Sequence, residues 1–395
     1  MSTAASRAAR RARIAEIDAR ISSLKNSIRL LKAEKLRTQE RLDLYTYPVL
    51  MLPSEITSEI FMKFIPEYPS PPPLTGLLSP TTLTHVCRRW RAIAHSTPAL
   101  WRAIMVPAYL CTIRNEAYLL SILESWLSRS RSFPLSISTE DMFEVLSGRL
   151  CRGPRSSSSA MEYVTLTVLD ECVVHTMHGA MPLLRQFEIR TDFIASPPSP
   201  IRFCEVPQLR SVTIWEYPQL RETAGIDIFP WSQLTSLTLI DVDGWPAILK
   251  ETANLLHCHL FLCGEEDLTV PDIRLPVLES LVLSPFSDSL FGPDEPATNA
   301  LPSLFTPALR ILEVPESFLQ PDPIAMLDSF ISKSGCDLQK ICITGNTRSV
   351  PEAMYHASFF YTIGLGMIPR VSFDMSLTNY ESYEKKLARR RYEMF

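Results

Sequence analysis

The chain has 395 residues, 46% of them hydrophobic, and a formal net charge of −4, which allows two or three domains and a large core. It holds no run of eighteen apolar residues, and its arginine-rich start lacks the apolar segment of a secretory signal, which argues against a helical membrane protein or an exported one. The nine cysteines are odd in number, scattered and without a C-x-x-C pair, so reduced thiols in a cytoplasmic or nuclear protein are expected rather than a disulfide framework.

Charge is unevenly spread. Residues 1–45 carry eleven Lys or Arg against five Asp or Glu, a net of +6 that leaves −10 for the remainder. This basic stretch, 1–46, reads as one helix with a seam. Ile14, Ile17, Ile21, Leu24, Ile28 and Leu31 are spaced 3, 4, 3, 4, 3, and Leu42 and Tyr45 return to register after Lys35 and Thr38. Isoleucine at the a positions and leucine at most d positions favour a parallel two-stranded coil. A homodimer is one expectation, and a helix folded back on its own chain is the other. Arg7, Arg10, Arg11 and Arg13 suit a solvated helix end, and no nucleic-acid partner is expected.

Two helical blocks come next. Leu52-Pro53-Ser54-Glu55 opens the first, with Pro53 suited to a first helical turn and Glu55 to the positive end of the helix dipole. The spacing predicts a helix from about Leu52, with Leu52, Ile56, Ile60, Phe61 and Phe64 on its apolar side. The second block predicts one helix in which Leu83, Val86, Trp90, Ile93 and Ala94 line one side, ended near His95 by Pro98. Helices this short need the rest of the chain or a partner to cover their apolar surface. Between them Pro66–Pro80 is proline-rich, and is expected to be extended and to loop out.

The ordered set LPSE, Val86-Cys87-Arg88-Arg89-Trp90 and Thr97-Pro98-Ala99-Leu100-Trp101 resembles an F-box, with the VCRRWRAIAHSTPALW block similar to the F-box proteins of mushroom-forming fungi. The spacing between the halves is about a dozen residues longer than in the usual family pattern, which is where the proline-rich segment falls. The resemblance implies that Leu52, Pro53, Ile56, Ile60, Val86, Cys87 and Trp90 help to form a module that packs on a Skp1-like adaptor. Through that adaptor the chain would reach a cullin-based ubiquitin ligase, as a non-catalytic subunit that presents a client protein. An interaction scaffold that uses the F-box without ubiquitin transfer is the alternative.

Asn115–Arg129 then fits a helix and Phe133–Ser138 a strand, a unit expected to cap the open end of a repeat array, and Ser156–Ser159 reads as a flexible loop. From Met161 a motif of the form apolar-x-x-apolar-x-apolar recurs. It is seen at Leu184-Phe187-Ile189, Leu209-Val212-Ile214, Leu234-Leu237-Leu239, Leu255-Cys258-Leu260, Leu278-Leu281-Leu283, Leu309-Leu312-Val314 and Leu338-Ile341-Ile343, with weaker copies at Met161-Val164-Leu166 and Ile368-Val371-Phe373. Intervals of 21 to 31 residues resemble an irregular leucine-rich repeat array, each copy giving one strand of a parallel sheet. Alternation then places Trp215, Ile240 and Phe261 on outer positions of three successive strands beside Arg190, a candidate client patch if exposed. Tucking under the adjoining loops is the other possibility.

The fold expected is therefore α/β: a coiled-coil helix over 1–46, a small helical F-box over 47–105 with its proline-rich loop at 66–80, a leucine-rich-repeat-like solenoid with a parallel sheet over 106–378, and a basic tail over 379–395. Phosphate-loop, nucleophile-elbow and zinc-helix motifs do not occur. No catalytic residue, cofactor or metal is expected. His257, Cys258, His259 and Cys263 point alternately to opposite faces of a strand, and His175 and His178 lack further ligands nearby.

Overall fold

A computed structural model of the chain describes residues 4–44, 48–106, 116–142, 157–168, 180–191, 203, 205–215, 229–242, 244–262, 272–285, 300–344 and 370–374. Cys263, His175, His178 and the basic tail lie outside these. The chain divides into two compact units, Met1–Thr57 and Ser58–Phe395.

In the first unit α1 runs Ala4–Leu44 as one helix of 41 residues. Its heptad seam stands in solvent, Ile14, Ile17, Ile21, Leu24, Ile28 and Leu31 being between 42 and 64% exposed. An i,i+3 ion pair, Arg13 to Glu16 at 2.7 Å, is highly exposed and adds little. Pro48–Met51 forms a 3₁₀ turn, and α2, Ser54–Phe64, whose residues from Ser58 belong to the second unit, begins two residues later than the leucine at which the sequence places its start. Pro53 is the reason: its carbonyl receives both the N–H and the Oγ1–H of Thr57 at 3.0 Å, so it stands just outside the first turn.

In the second unit two short helices, α3 (Pro80–Val86) and α4 (Arg88–Ser96), precede an eleven-stranded sheet whose strands pair in parallel throughout. Its strands are β1 (Ala103–Val106), β2 (Leu135–Met142), β3 (Met161–Val168), β4 (Gln186–Thr191), β5 (Ser211–Trp215), β6 (Ser236–Ile240), β7 (His257–Leu262), β9 (Ser280–Pro285), β11 (Ile311–Pro315), β12 (Lys340–Thr344) and β13 (Arg370–Asp374). They lie side by side in chain order. Two further two-residue strands, β8 (Ile273–Arg274) and β10 (Leu304–Phe305), pair with each other. Every copy of the repeated motif supplies a strand. β1 was not anticipated: it starts the sheet directly after the second helical block, pairing with β2.

The motif works because its apolar positions fall in register. Val164, Phe187, Val212, Leu237, Cys258, Leu281, Leu312 and Ile341 are successive partners across the sheet, each at most 2% exposed. In six of the copies the leading leucine closes a tight turn just before its strand. Leu184, Leu209, Leu234, Leu255, Leu278 and Leu309 each donate an N–H to the carbonyl three residues back. The next residue's N–H then bonds across to the preceding repeat, as in Arg210 to Arg185 and Thr235 to Arg210. Prolines before these leucines suit such turns, since they need no amide of their own there.

Helices occupy some of the connections. α5 (Glu116–Ser130) precedes β2 and matches the predicted helix, and α6 (Trp245–Glu251) buries Trp245, Ile248 and Leu249. The helix α7 (Pro323–Ser334) carries its own start and stop signals. Asp322 accepts the Ala325 N–H at 3.1 Å, Pro323 fills the first turn, and Gly335, at φ +64°, ends the helix by donating to the Ile331 carbonyl at 2.8 Å. Ser157–Ala160, from the serine run, forms a 3₁₀ turn leading straight into β3 rather than a loose loop.

Candidate protein-docking site

The helical blocks before the sheet differ from their sequence reading in an informative way. Phe61 and Ile65 point into the core at 1 and 9% exposure, whereas Ile56 and Ile60, one turn apart on α2, are 49 and 48% exposed. The apolar side predicted for this helix thus divides into an inward and an outward stripe. The block after the prolines is also not one helix. It breaks between α3 and α4 at Cys87, whose backbone is extended. Cys87 Sγ accepts the Trp90 N–H at 3.4 Å, so a thiol caps α4 where a continuous helix would bury it in a turn. The break leaves Leu83 in the core at 4% and turns Val86 outward at 57%.

Trp90 is half-buried and meets Phe61 edge-on, with ring centroids 4.9 Å apart. Its Nε1–H is buried and has no acceptor among the described residues. Leu52 is half-buried and Pro53 exposed. Around Val86 the charge is of one sign, whereas Ile56 and Ile60 stand beside the exposed Glu55 and Glu59. Arg88 and Arg89 are exposed, and the sequence from 69 to 115 holds no Asp or Glu.

The end of this region is built into the sheet's core. Trp101, 1% exposed, donates its Nε1–H to the Ala94 carbonyl at 2.8 Å and packs edge-on against Trp126 of α5 with centroids 5.1 Å apart. The Arg129 guanidinium covers the same ring at 4.5 Å. His95 lies beside it, its pKa lowered first by burial and then by Arg129 and Arg91.

The proline-rich segment does not loop out. Pro72, Leu74 and Ser79 are buried, and Ser79 Oγ–H donates to the Leu74 carbonyl at 2.9 Å. Tyr68 donates its hydroxyl proton to Glu162 Oε2 at 2.8 Å, lies under the Arg102 guanidinium at 3.8 Å, and meets Tyr163 edge-on at 5.5 Å. The other Glu162 oxygen receives Arg185 Nε at 3.0 Å. Ser136 Oγ–H donates to the Pro69 carbonyl at 2.6 Å. Ser136 and Tyr163 are partners on β2 and β3, so this segment sits on the face of the sheet opposite Ile137 and Val164. Extended proline-rich chain suits this seat because it has few amides to satisfy.

The candidate client patch is corrected by the structure. Arg190, Trp215, Ile240 and Phe261 are register partners on β4 to β7, as alternation requires. However, Trp215, Ile240 and Phe261 are only 4, 0 and 3% exposed, so no open apolar surface forms there. They sit at or next to the ends of their strands, where large rings can turn back instead of standing free, and Arg190 lies 5.3 Å from the Trp215 ring. What the outer face does present between β5 and β6 is short and polar: Ser211, Thr213, Ser236 and Thr238, all half-buried.

The strand β7 holds a cysteine and two histidines of the metal-capable cluster. Cys258 is in the core, its thiol pushed up to about 12 by burial, while His257 is exposed and His259 half-buried. No group of three metal-ligating side chains occurs among the described residues. His259 Nε2 lies 3.1 Å from Ser284 Oγ and its ring stacks on Phe261 at 4.1 Å. Burial holds its pKa down to about 4, against an ordinary 6.5. An unfolded chain therefore takes a proton near pH 6.5 and the folded one only near 4, so this histidine's contribution is intact above pH 6.5 and falls as pH drops towards 4. Denaturant unfolding at pH 7 and 5 should differ by about 2 kcal/mol from this group, a loss that His259→Asn removes.

Residues 49–106 match the protein family described as F-box-like, covering α2, α3, α4 and β1. The matched region supports an F-box protein. A search of curated proteins finds no match to this chain. No helix among the described residues is long and apolar enough to cross a membrane.

Proposed function

We propose that this protein is a non-catalytic substrate adaptor: its F-box docks a Skp1-like protein and, through it, a cullin-based ubiquitin ligase, while the sheet holds a client protein. The observation that carries the reading is that Ile60 and Val86 stand in solvent, next in sequence to core and capping residues, inside the stretch that matches the F-box-like family. Exposed branched side chains on helices joined by the Phe61–Trp90 contact are what a helical docking module needs. Leu52, Pro53 and Ile56 complete the module by resemblance, with Cys87 and Trp90 setting its shape. The acid-free stretch that carries Val86 and the exposed Arg88 and Arg89 favours acidic partner groups on that side.

On this reading the strands form a leucine-rich-repeat-like solenoid, similar to those of fungal F-box proteins, and its short polar outer face receives the client in place of the buried Trp215 group. Ubiquitin transfer occurs elsewhere in the complex, and the chain contributes proximity. The exposed heptad seam of α1 supports a homodimer. Location is cytoplasmic or nuclear, and no cofactor, metal or nucleic acid is involved.

The deciding experiment is titration of the purified full chain with a Skp1-type adaptor, and then addition of a cullin. Saturable binding that recruits the cullin supports the ligase reading. Adaptor binding without the cullin favours the scaffold alternative, and no binding by a folded chain rules both out.

A further inference from the structure

We infer that the proline-rich segment 66–79 is a brace that locks the F-box-like helices to the β1–β3 end of the sheet, with Tyr68 as its positioning residue. The seat is built from both sides. The segment supplies Tyr68 and the Pro69 carbonyl, and the sheet supplies Glu162, Tyr163 and Ser136 across 94 residues of sequence in the case of Glu162. Arg102, between the 3₁₀ turn Pro98–Trp101 and β1, covers the Tyr68 ring, so the clamp closes at the point where the chain passes from helices to sheet. Beyond Tyr68 the segment is folded on itself, with Thr81 and Ser79 donating to the Leu74 carbonyl and Thr82 to Gly76.

Hydrogen bonds to a carboxylate are stronger than those between neutral groups, and Glu162 accepts two donors here, Tyr68 and Arg185, the second of which leads into β4. Burial and the neighbouring Glu162 raise the phenol's pKa, so Tyr68 remains a donor throughout the physiological range. Without these contacts a segment with so many prolines would gain more from solvated, extended freedom than from order. The brace rests on the adaptor reading only for its consequence: it fixes the span from a docked adaptor to anything held on the sheet.

Hydrogen exchange on the full chain tests it. In Tyr68→Ala, amides of 66–79 and of the β1–β2 pairs should exchange about tenfold or more faster than in wild type, while β5 to β12 keep their protection. Should Tyr68→Ala fail to fold, Tyr68→Phe and Glu162→Ala decide, each raising exchange in 66–79, and the double variant raising it there no further than Glu162→Ala alone, because the Tyr68–Glu162 bond is already absent in that variant. Wild-type exchange rates in 66–79 for these variants would overturn the brace. Titration of the same proteins with a Skp1-type adaptor separates the two readings. Unchanged affinity in Tyr68→Phe is expected, and an adaptor that fails to bind even wild type defeats the adaptor reading while leaving the exchange result to judge the brace.

Discussion

Val86→Asp, in the full chain, should weaken binding to a Skp1-type adaptor by about a hundredfold or more and leave folding unchanged. Val86 is 57% exposed at the end of α3, so a carboxylate there stays hydrated in the free protein and costs little stability. In a complex the same carboxylate would be pressed against apolar partner surface and stripped of water, a penalty of several kcal/mol that appears only on docking. Ile60→Asp, 48% exposed on α2, should behave alike. Phe61→Ala supplies the contrast. Phe61 is 1% exposed and packs on Trp90, so its loss should be read as destabilisation by about 3–5 kcal/mol rather than as a loss of affinity in a folded chain. Calorimetric titration with matched circular dichroism measures both. Wild-type affinity in Val86→Asp and Ile60→Asp would remove this surface as the docking face.

The second large effect is structural. Trp101→Ala should cost about 3–5 kcal/mol, a substantial part of the 5–15 kcal/mol that holds a domain together. The side chain is 1% exposed, and its removal empties a space lined by Trp126, strands Arg129 without its ring partner, and leaves the Ala94 carbonyl without the donor now 2.8 Å away. Trp101→Phe keeps much of the volume but not the N–H, and should lose about half as much. Urea unfolding monitored by circular dichroism gives both numbers. Equal midpoints for Trp101→Ala and wild type would mean that the last turn of the F-box-like region does not share the sheet's core.

The strands were the legible part of this chain. A leucine that closes a turn, two inward residues after it, and a return every few tens of residues are local signals, and parallel stacking enforces them at each repeat. Trp101-Ile104-Val106 has the motif's spacing too, but it comes directly after a helical block whose closing residue is Trp101, which hides β1. Periodicity found the helices but could not sort their faces, since a residue reserved for a partner and one reserved for the core are apolar for the same reason. Ile60 and Phe61 are adjacent in sequence and opposite in exposure. Likewise alternation placed Trp215, Ile240 and Phe261 in one row, but whether a large ring stands up or turns back depends on what packs over the strand ends. Tyr68 was beyond reach: nothing near it in sequence announces a carboxylate 94 residues away.

Because the sheet adds its strands strictly in chain order, each new strand emerging from the ribosome finds its hydrogen-bonding neighbour already made. Pairing within this sheet can then keep pace with synthesis, whereas the Tyr68–Glu162 bond and the β8–β10 pair must wait for later segments. A break in the message late in the coding region would accordingly leave a shorter sheet with its earlier pairings complete, whereas loss of β1 or β2 would remove the template on which every later strand is laid.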